Sequence, residues 1–301
     1  MIKLVRAQRL NVFQKCLMRF NNGGNILIQN NDNIILKQKQ DLLLLEFKNL
    51  KKYDNMLTHC FTTRLGGVSE GECSSLNLSF NRNDSKENVI ENYRIIADAI
   101  GVDFDKMVLS NQIHDDKIRF VQAEDAGKGL ARESDIIGFD GLTTNQLGIP
   151  LVTFYADCVP VLFLDPVKKA ITAVHSGWRS TVKNISYNAL MVMKERYGSD
   201  FKDIQVAIGP SLCSDCFEVD ADVYNCFVEK FSWCIKYTDY RNGKYHIDLQ
   251  QIIRQVLVDA GVPNGNILNS NVCTKCNKDV FFSFRGDNGK TGSLAAFMML
   301  K

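Results

Sequence analysis

Leu151-Val152-Thr153-Phe154-Tyr155-Ala156-Asp157-Cys158-Val159-Pro160-Val161-Leu162-Phe163-Leu164, followed after a short polar break by Ala170-Ile171-Thr172-Ala173-Val174-His175-Ser176-Gly177-Trp178-Arg179, is the stretch whose reading sets the fold. Three apolar runs, Leu151 to Tyr155, Val161 to Leu164 and Ala170 to His175, are too short for helices and rich in β-branched and aromatic residues, so they are predicted as strands. Cys158 precedes Pro160 at the break between the first two. His175 closes the third, where Ser176-Gly177 forces a turn, and both side chains are therefore expected at one end of a sheet.

Working outward, Ile204 to Ile208 and Val280 to Phe284 add strand-like runs, and three helices have start and stop signals. Ser85 can cap one that runs to Ile100 and stops at Gly101, Thr181 opens one that ends at Gly198, and Asp248 opens one that ends at Gly261. Strands outnumber helices without alternating strictly with them, which favours α+β over a doubly wound sheet. Ile26-Leu27-Ile28, a turn at Asn30-Asn31-Asp32-Asn33, Ile34-Ile35-Leu36 and Leu42 to Phe47 suggest short strands with a hairpin. Residues 1–50 accordingly read as a β-rich N-terminal extension, and residues 51–301 as one compact domain without a low-complexity linker.

The composition of the 301 residues, 45% apolar and 23% charged, is that of a globular chain. Lysine and arginine number 36 against 34 acidic residues, and the net charge of +2 gives no field that argues for nucleic acid or a membrane surface. No run approaches the roughly 18 apolar residues of a spanning helix, and Met1-Ile2-Lys3-Leu4-Val5-Arg6 carries no apolar signal core. A cytoplasmic protein is expected, in which the ten cysteines are thiols, ligands or small hydrophobes rather than a disulfide framework.

Two of the four histidines, His114 and His175, bracket Cys158. Two neutral imidazoles and one thiolate suit Zn²⁺ and leave a fourth tetrahedral position for water or substrate. The spacing matches no short metal signature, so the residues alone leave both shared coordination and separate buried roles open.

The surroundings say more. Phe61-Thr62-Thr63-Arg64-Leu65-Gly66-Gly67-Val68-Ser69, Leu76-Asn77-Leu78, Gln112-Ile113-His114, Ala156-Asp157-Cys158-Val159-Pro160-Val161, His175-Ser176-Gly177-Trp178-Arg179, Ile208-Gly209-Pro210-Ser211 and Phe281-Phe282-Ser283-Phe284-Arg285 occur in that order. Together they closely resemble the YfiH-type laccase-domain family of multifunctional purine nucleoside phosphorylases, formerly annotated polyphenol oxidases, over roughly Leu57 to Leu300. The resemblance implies a four-layer α/β/β/α sandwich with internal duplication, and zinc held by His114, Cys158 and His175. It also implies phosphorolysis of inosine, adenosine and methylthioadenosine, deamination of adenosine, and hence a purine nucleoside and phosphate as partners. The chain departs from the family in the tail, where Gly286 stands in place of the second arginine of Arg-Arg-Asp and Ser293 in place of the arginine of Thr-Gly-Arg. Asp115 replaces the glycine that usually follows the first histidine.

Around the metal set, Arg64 before Gly66-Gly67 is suited to bidentate contact with phosphate, or is an arginine beside a tight turn; the resemblance favours the first. Asn77 can meet a ribose hydroxyl or purine edge, or satisfy local backbone. Asp157 can orient a ligand or accept a proton, and with Cys158 and His175 it forms the expected catalytic group. Trp178 and Arg179 can wall the pocket, and Arg285 is a second candidate for phosphate. His59 and His246 read as structural. Cys213-Ser214-Asp215-Cys216 and Cys273-Thr274-Lys275-Cys276 can make a four-thiolate zinc site, but they are separated by far more than the usual 15 to 20 residues or so, and independent thiols are expected.

Three other readings accompany the phosphorylase. Cys158 as nucleophile with His175 as base makes a cysteine–histidine hydrolase. Copper in place of zinc makes a polyphenol oxidase, against which stands the shortage of imidazoles for a multicopper cluster. A non-enzymatic role in cell-wall precursor quality control is the third. A monomer or small homo-oligomer is expected.

Overall fold

The computed structural model describes residues 32–301 throughout, together with the backbone of the short antiparallel strands β1 (Arg19–Phe20) and β2 (Ile26–Leu27). Ile28 of the expected first run and Asn30 and Asn31 of the expected turn lie outside the described residues. The remaining strands are β3 (Ile34–Lys39), β4 (Leu42–Phe47), β5 (Leu57–Thr62), β6 (Val108–Leu109), β7 (Ile118–Phe120), β8 (Gly141–Thr144), β9 (Leu151–Tyr155), β10 (Val159–Asp165) and β11 (Ala170–Ser176). They are followed by β12 (Gln205–Ile208), β13 (Glu218–Val219), β14 (Thr238–Arg241), β15 (Lys244–Ile247), β16 (Ile267–Asn269) and β17 (Leu294–Leu300). The α-helices among the described residues are α1 (Lys48–Lys51), α2 (Lys86–Ile100), α3 (Trp178–Val182), α4 (Ile185–Tyr197), α5 (Ala221–Lys230) and α6 (Leu249–Asp259).

Two six-stranded sheets organise this mixed α/β chain. The first has the order β3-β4-β5-β17-β9-β6, the second β16-β12-β10-β11-β8-β7. Alternation along the strands assigns each face to a core. In β10, Leu162 and Leu164 join a cluster shared with Phe61, Tyr155, Ala296 and Met298 of the first sheet, whereas Val161 and Phe163 join the cluster of α4 and α6. In β17, Ala295 and Phe297 turn instead to Val89, Tyr93 and Ile96 of α2. Three apolar layers result, one between the sheets and one under the helices outside each sheet. Each fully buried large apolar side chain contributes roughly 1.5–3 kcal/mol.

The local signals explain most element ends. The Ser85 hydroxyl accepts the Asn88 N–H at the start of α2, and Gly101 closes it at φ 69°. The Asp248 carboxylate caps α6 by accepting the Gln251 N–H at 3.0 Å. The helix expected from Thr181 to Gly198 starts earlier, at Trp178, and is broken where Asn184 takes φ 69°, so it becomes α3 and α4. Val280 to Phe284 forms no strand: Val280, Phe281 and Phe282 are apolar because they fill the space between the sheets. β3 and β4 form a hairpin that turns at Gln40 and Asp41, and it is bonded into the first sheet through Leu44↔Thr62 and Leu45↔Phe61. No helix among the described residues is long and apolar enough to cross a membrane.

His59 sits inside this hairpin junction. Its Nε2 accepts the Phe47 N–H at 2.9 Å and its ring stacks on Phe47, which fits the structural reading. Burial pushes its pKa down from 6.5 to about 4. The unfolded chain therefore binds a proton that the folded chain refuses. The contribution is complete above about pH 6.5 and is lost as pH falls toward 4, by up to about 3 kcal/mol. Urea unfolding from pH 7.5 to 4.5 checks this: the stability advantage of wild type over His59→Gln should narrow as pH falls, and parallel curves would remove His59 as a source.

Candidate metal centre

Three chain segments meet at one end of the paired sheets. Cys158 lies in the link between β9 and β10, His175 near the end of β11, and His114 in the loop after β6. Antiparallel pairing of Pro160 with His175 brings the second and third together. The ligand atoms of all three lie within 4.8 Å of one another, and Cys158 Sγ is 3.8 Å from His114 Nε2. A tetrahedral zinc with about 2.3 Å to sulfur and about 2.05 Å to nitrogen needs a sulfur–nitrogen edge of roughly 3.6 Å. The residues fit a metal.

Asp140 assembles the set, and nothing in the sequence had singled it out. Its fully buried carboxylate accepts the backbone N–H groups of Ile113, His114 and Asp115 at 2.9, 2.9 and 2.8 Å, and the Nδ1–H of His175 at 2.7 Å. That last bond fixes the tautomer and leaves Nε2 of His175 as the ligating nitrogen. Burial opposes the Asp140 charge, but these donors overcome it and hold the carboxyl below its usual range. The signal available was a lone aspartate between Gly138 and Gly141, just before a strand.

The electrostatics follow from the contacts. Burial alone would raise the Cys158 thiol; the adjacent His175 charge and bonds from both histidines more than offset this and bring it to about 6. Burial likewise lowers His175, while the Cys158 thiolate and Asp140 together raise it to about 9. Cys158 is thus a thiolate at neutral pH, the form that binds metal. Gly177 completes the enclosure, since a Cβ there would stand 2.8 Å from His114 Cδ2 and 3.1 Å from Cys158 Sγ.

The other expected site residues are distributed more widely. Asp157 accepts the Thr274 hydroxyl and the Arg285 N–H, both at 2.6 Å, and its carbonyl accepts the Leu212 N–H. Asn77 has no exposed surface, and its amide bonds to Ser79, Asp84 and the Ser293 N–H. Arg64 donates to the carbonyls of Ser74 and Lys278, pairs with Asp287 and lies over Phe282. The amides of Gly66 and Gly67 go to the Ser75 hydroxyl rather than to an anion. Arg285 donates to the Glu218 carbonyl, Asp115 pairs with Lys183, and exposed Arg179 stacks over half-buried Trp178, three residues after His175 in sequence.

Arg82 is the second residue that the sequence reading missed. Its Nε donates to Ser293 Oγ at 2.9 Å, its guanidinium lies near the exposed ring of Phe284, and burial depresses its pKa although its charge is close enough to interact with Asp157 and Cys158. It sets a half-buried cation against Ser293 in the C-terminal tail.

Residues 58–301 match the family described as multi-copper polyphenol oxidoreductase laccase. The chain is 35% identical to the purine nucleoside phosphorylase YlmD of Bacillus subtilis over 80% of this chain and 87% of that one. It is also 35% identical to adenosine deaminase RL5 of an unknown prokaryotic organism, over 75% and 87% of the two chains. The crystal structure of a Bacillus licheniformis protein named YfiH superposes with a TM-score of 0.81 at 34% identity, covering 88% of this chain and 99% of that one.

Asp140→Asn keeps the shape but weakens the acceptor for His175 and the loop amides. Zinc affinity, measured by competition with a chromophoric chelator, is expected to fall about 10–100-fold. Gly177→Ala should lower it comparably by displacing two ligands, and an unchanged affinity in both variants would disprove this account of the centre.

Proposed function

The chain belongs to the family described as multi-copper polyphenol oxidoreductase laccase, and from its site and the names of its relatives we propose that it is a zinc-dependent purine nucleoside phosphorylase with adenosine deaminase activity. The observation that carries the reading is the convergence of His114, Cys158 and His175 around a space braced by Asp140. Inosine, adenosine and methylthioadenosine are the proposed nucleosides, and a cytoplasmic location follows the same reading. The two facing sheets with helices outside each are read as the four-layer α/β/β/α sandwich with internal duplication.

A zinc ion held by the three ligands would supply a Lewis acid and lower the pKa of bound water to about 7. The chain's own residues provide positioning. In phosphorolysis a phosphate oxygen bonds to the ribose anomeric carbon as the bond to the purine nitrogen breaks, and the base leaves with the electron pair and takes up a proton. Arg82 is the proposed contact for phosphate, because its Nε is held by Ser293 and its half-buried guanidinium faces Phe284 with no carboxylate paired to it in the ion pairs of the described residues. Trp178 and Arg179 offer a flat apolar and cationic wall next to His175, suited to a purine face. Asp157 keeps the Cys158 link fixed through Thr274 and Arg285.

Zinc is favoured over copper oxidation because the chain has four histidines in all, and two of them are placed elsewhere: His59 against Phe47 and His246 against the Ser214 carbonyl. A second reading, nucleophilic hydrolysis, is supported by the thiolate–imidazolium pair of Cys158 and His175. Metal analysis separates them. One equivalent of zinc per chain that wild type holds and Cys158→Ala does not supports the ligand role, whereas equal zinc in the two proteins with alkylation of wild type at Cys158 supports the nucleophile.

Metal-replete protein should convert inosine to hypoxanthine and ribose 1-phosphate only when phosphate is present, and adenosine to inosine plus ammonia without it. Neither product would sink the proposal. Arg82→Ala should raise KM for phosphate roughly tenfold or more while leaving deamination within about twofold of wild type.

A further inference from the structure

Four cysteines outside this centre come together through the second sheet. β12 and β16 run parallel with Ile208 opposite Asn269, so the chain leaves the sheet twice, side by side and in the same direction. The pairing continues through the bridge of Ser211 with Cys273, where Ser211 donates to the Val272 carbonyl and Thr274 donates to that of Ser211. Cys213 follows Ile208 by five residues and Cys273 follows Asn269 by four, and the bridge places Cys273 level with Ser211, so the two CxxC turns start within two residues of each other beyond the sheet. The first turn folds back with the Cys216 N–H on the Cys213 carbonyl, and the second forms a 3₁₀ turn over Lys275–Asn277.

All four sulfurs lie within 4.8 Å of one another, and Cys216 Sγ is 3.5 Å from Cys276 Sγ. A tetrahedral zinc with sulfur at about 2.3 Å needs sulfur–sulfur edges of roughly 3.8 Å. Two backbone amides, Cys213 and Cys276, donate to Cys273 Sγ at 3.4 and 3.5 Å, the contacts that support a charged sulfur. The expectation of independent thiols fails because the long separation in sequence is closed by parallel strand pairing, not by a local knuckle.

We propose that Cys213, Cys216, Cys273 and Cys276 form a second, structural metal site that takes a thiophilic divalent cation, zinc in the first instance. Four protein ligands leave no open position, so the site performs no chemistry. Its place in the fold gives it a task. The residue before its first cysteine, Leu212, donates to the Asp157 carbonyl, and Thr274, inside its second turn, donates to the Asp157 carboxylate. The four-thiolate site thereby clamps the two loops that hold the residue next to Cys158. The two metals are coupled through Asp157.

The test isolates the second site. The double variant His114→Ala/Cys158→Ala, purified under reducing conditions and supplied with zinc, is examined by elemental analysis and X-ray absorption at the zinc edge. One zinc per chain with four sulfur neighbours is expected, and adding Cys216→Ser/Cys276→Ser should abolish it. A folded double variant that binds no zinc, or binds it through nitrogen and oxygen, overturns the proposal. Should the quadruple variant not fold, alkylation of the double variant still decides: the four thiols should be protected with zinc and reactive after chelation, and equal reactivity in both states refutes the site.

Discussion

The carboxylate of Asp140 has no exposed surface, yet it remains charged. A buried anion costs several kcal/mol unless its lone pairs are met, and here four donors meet them. Three are consecutive amides of the His114 loop and the fourth is the His175 imidazole. The dependence is mutual. Without the loop amides the carboxylate would be under-satisfied, and without the carboxylate the loop would lack a reason to bring His114 to Cys158. The backbone carbonyl of Asp140 also accepts the His175 N–H, so a single residue positions both histidines.

Much of the framework could be read from the chain because the responsible interactions are local. Ser85 and Gly101 delimit α2 with one side chain and one permitted φ, and the runs at Leu151, Val161 and Ala170 carry their own propensity. Leu294–Leu300 shows the opposite case. Its sequence, rich in leucine, alanine and methionine, has a helical composition, but the strand is central and pairs with both β5 and β9, so partners on two sides override propensity. Val280 to Phe284 has strand-like residues and no strand, because burial between sheets selects the same side chains as pairing does.

The site divides along the same line. His114, Cys158 and His175 could be grouped through their neighbouring motifs, whereas Asp140 meets the His114 loop and His175 across separations of 25 to 35 residues that no short pattern records. The residues expected on the substrate side make many bonds within the chain. Asn77 and Arg64 belong to a polar framework in which Asn77, Ser69, Asp84 and Asn92 bond to one another and to the loop carrying Gly67. A Cβ at Gly67 would meet Ser75 and Asn92, so that glycine answers to packing rather than to a ligand. Motif residues that look ready for substrate are here engaged in shaping the loop.

His114 adopts φ 64°, a left-handed conformation that non-glycine residues seldom hold. Such a backbone costs about 1–3 kcal/mol and persists only where its surroundings impose it. Three amides fixed on one carboxylate are that imposition. The entropy of gathering the ligands is therefore met when the chain folds and not when a cation arrives. An incoming ion finds its seat already built, which favours retention of one coordination geometry over accommodation of ions that differ in size or preferred shape.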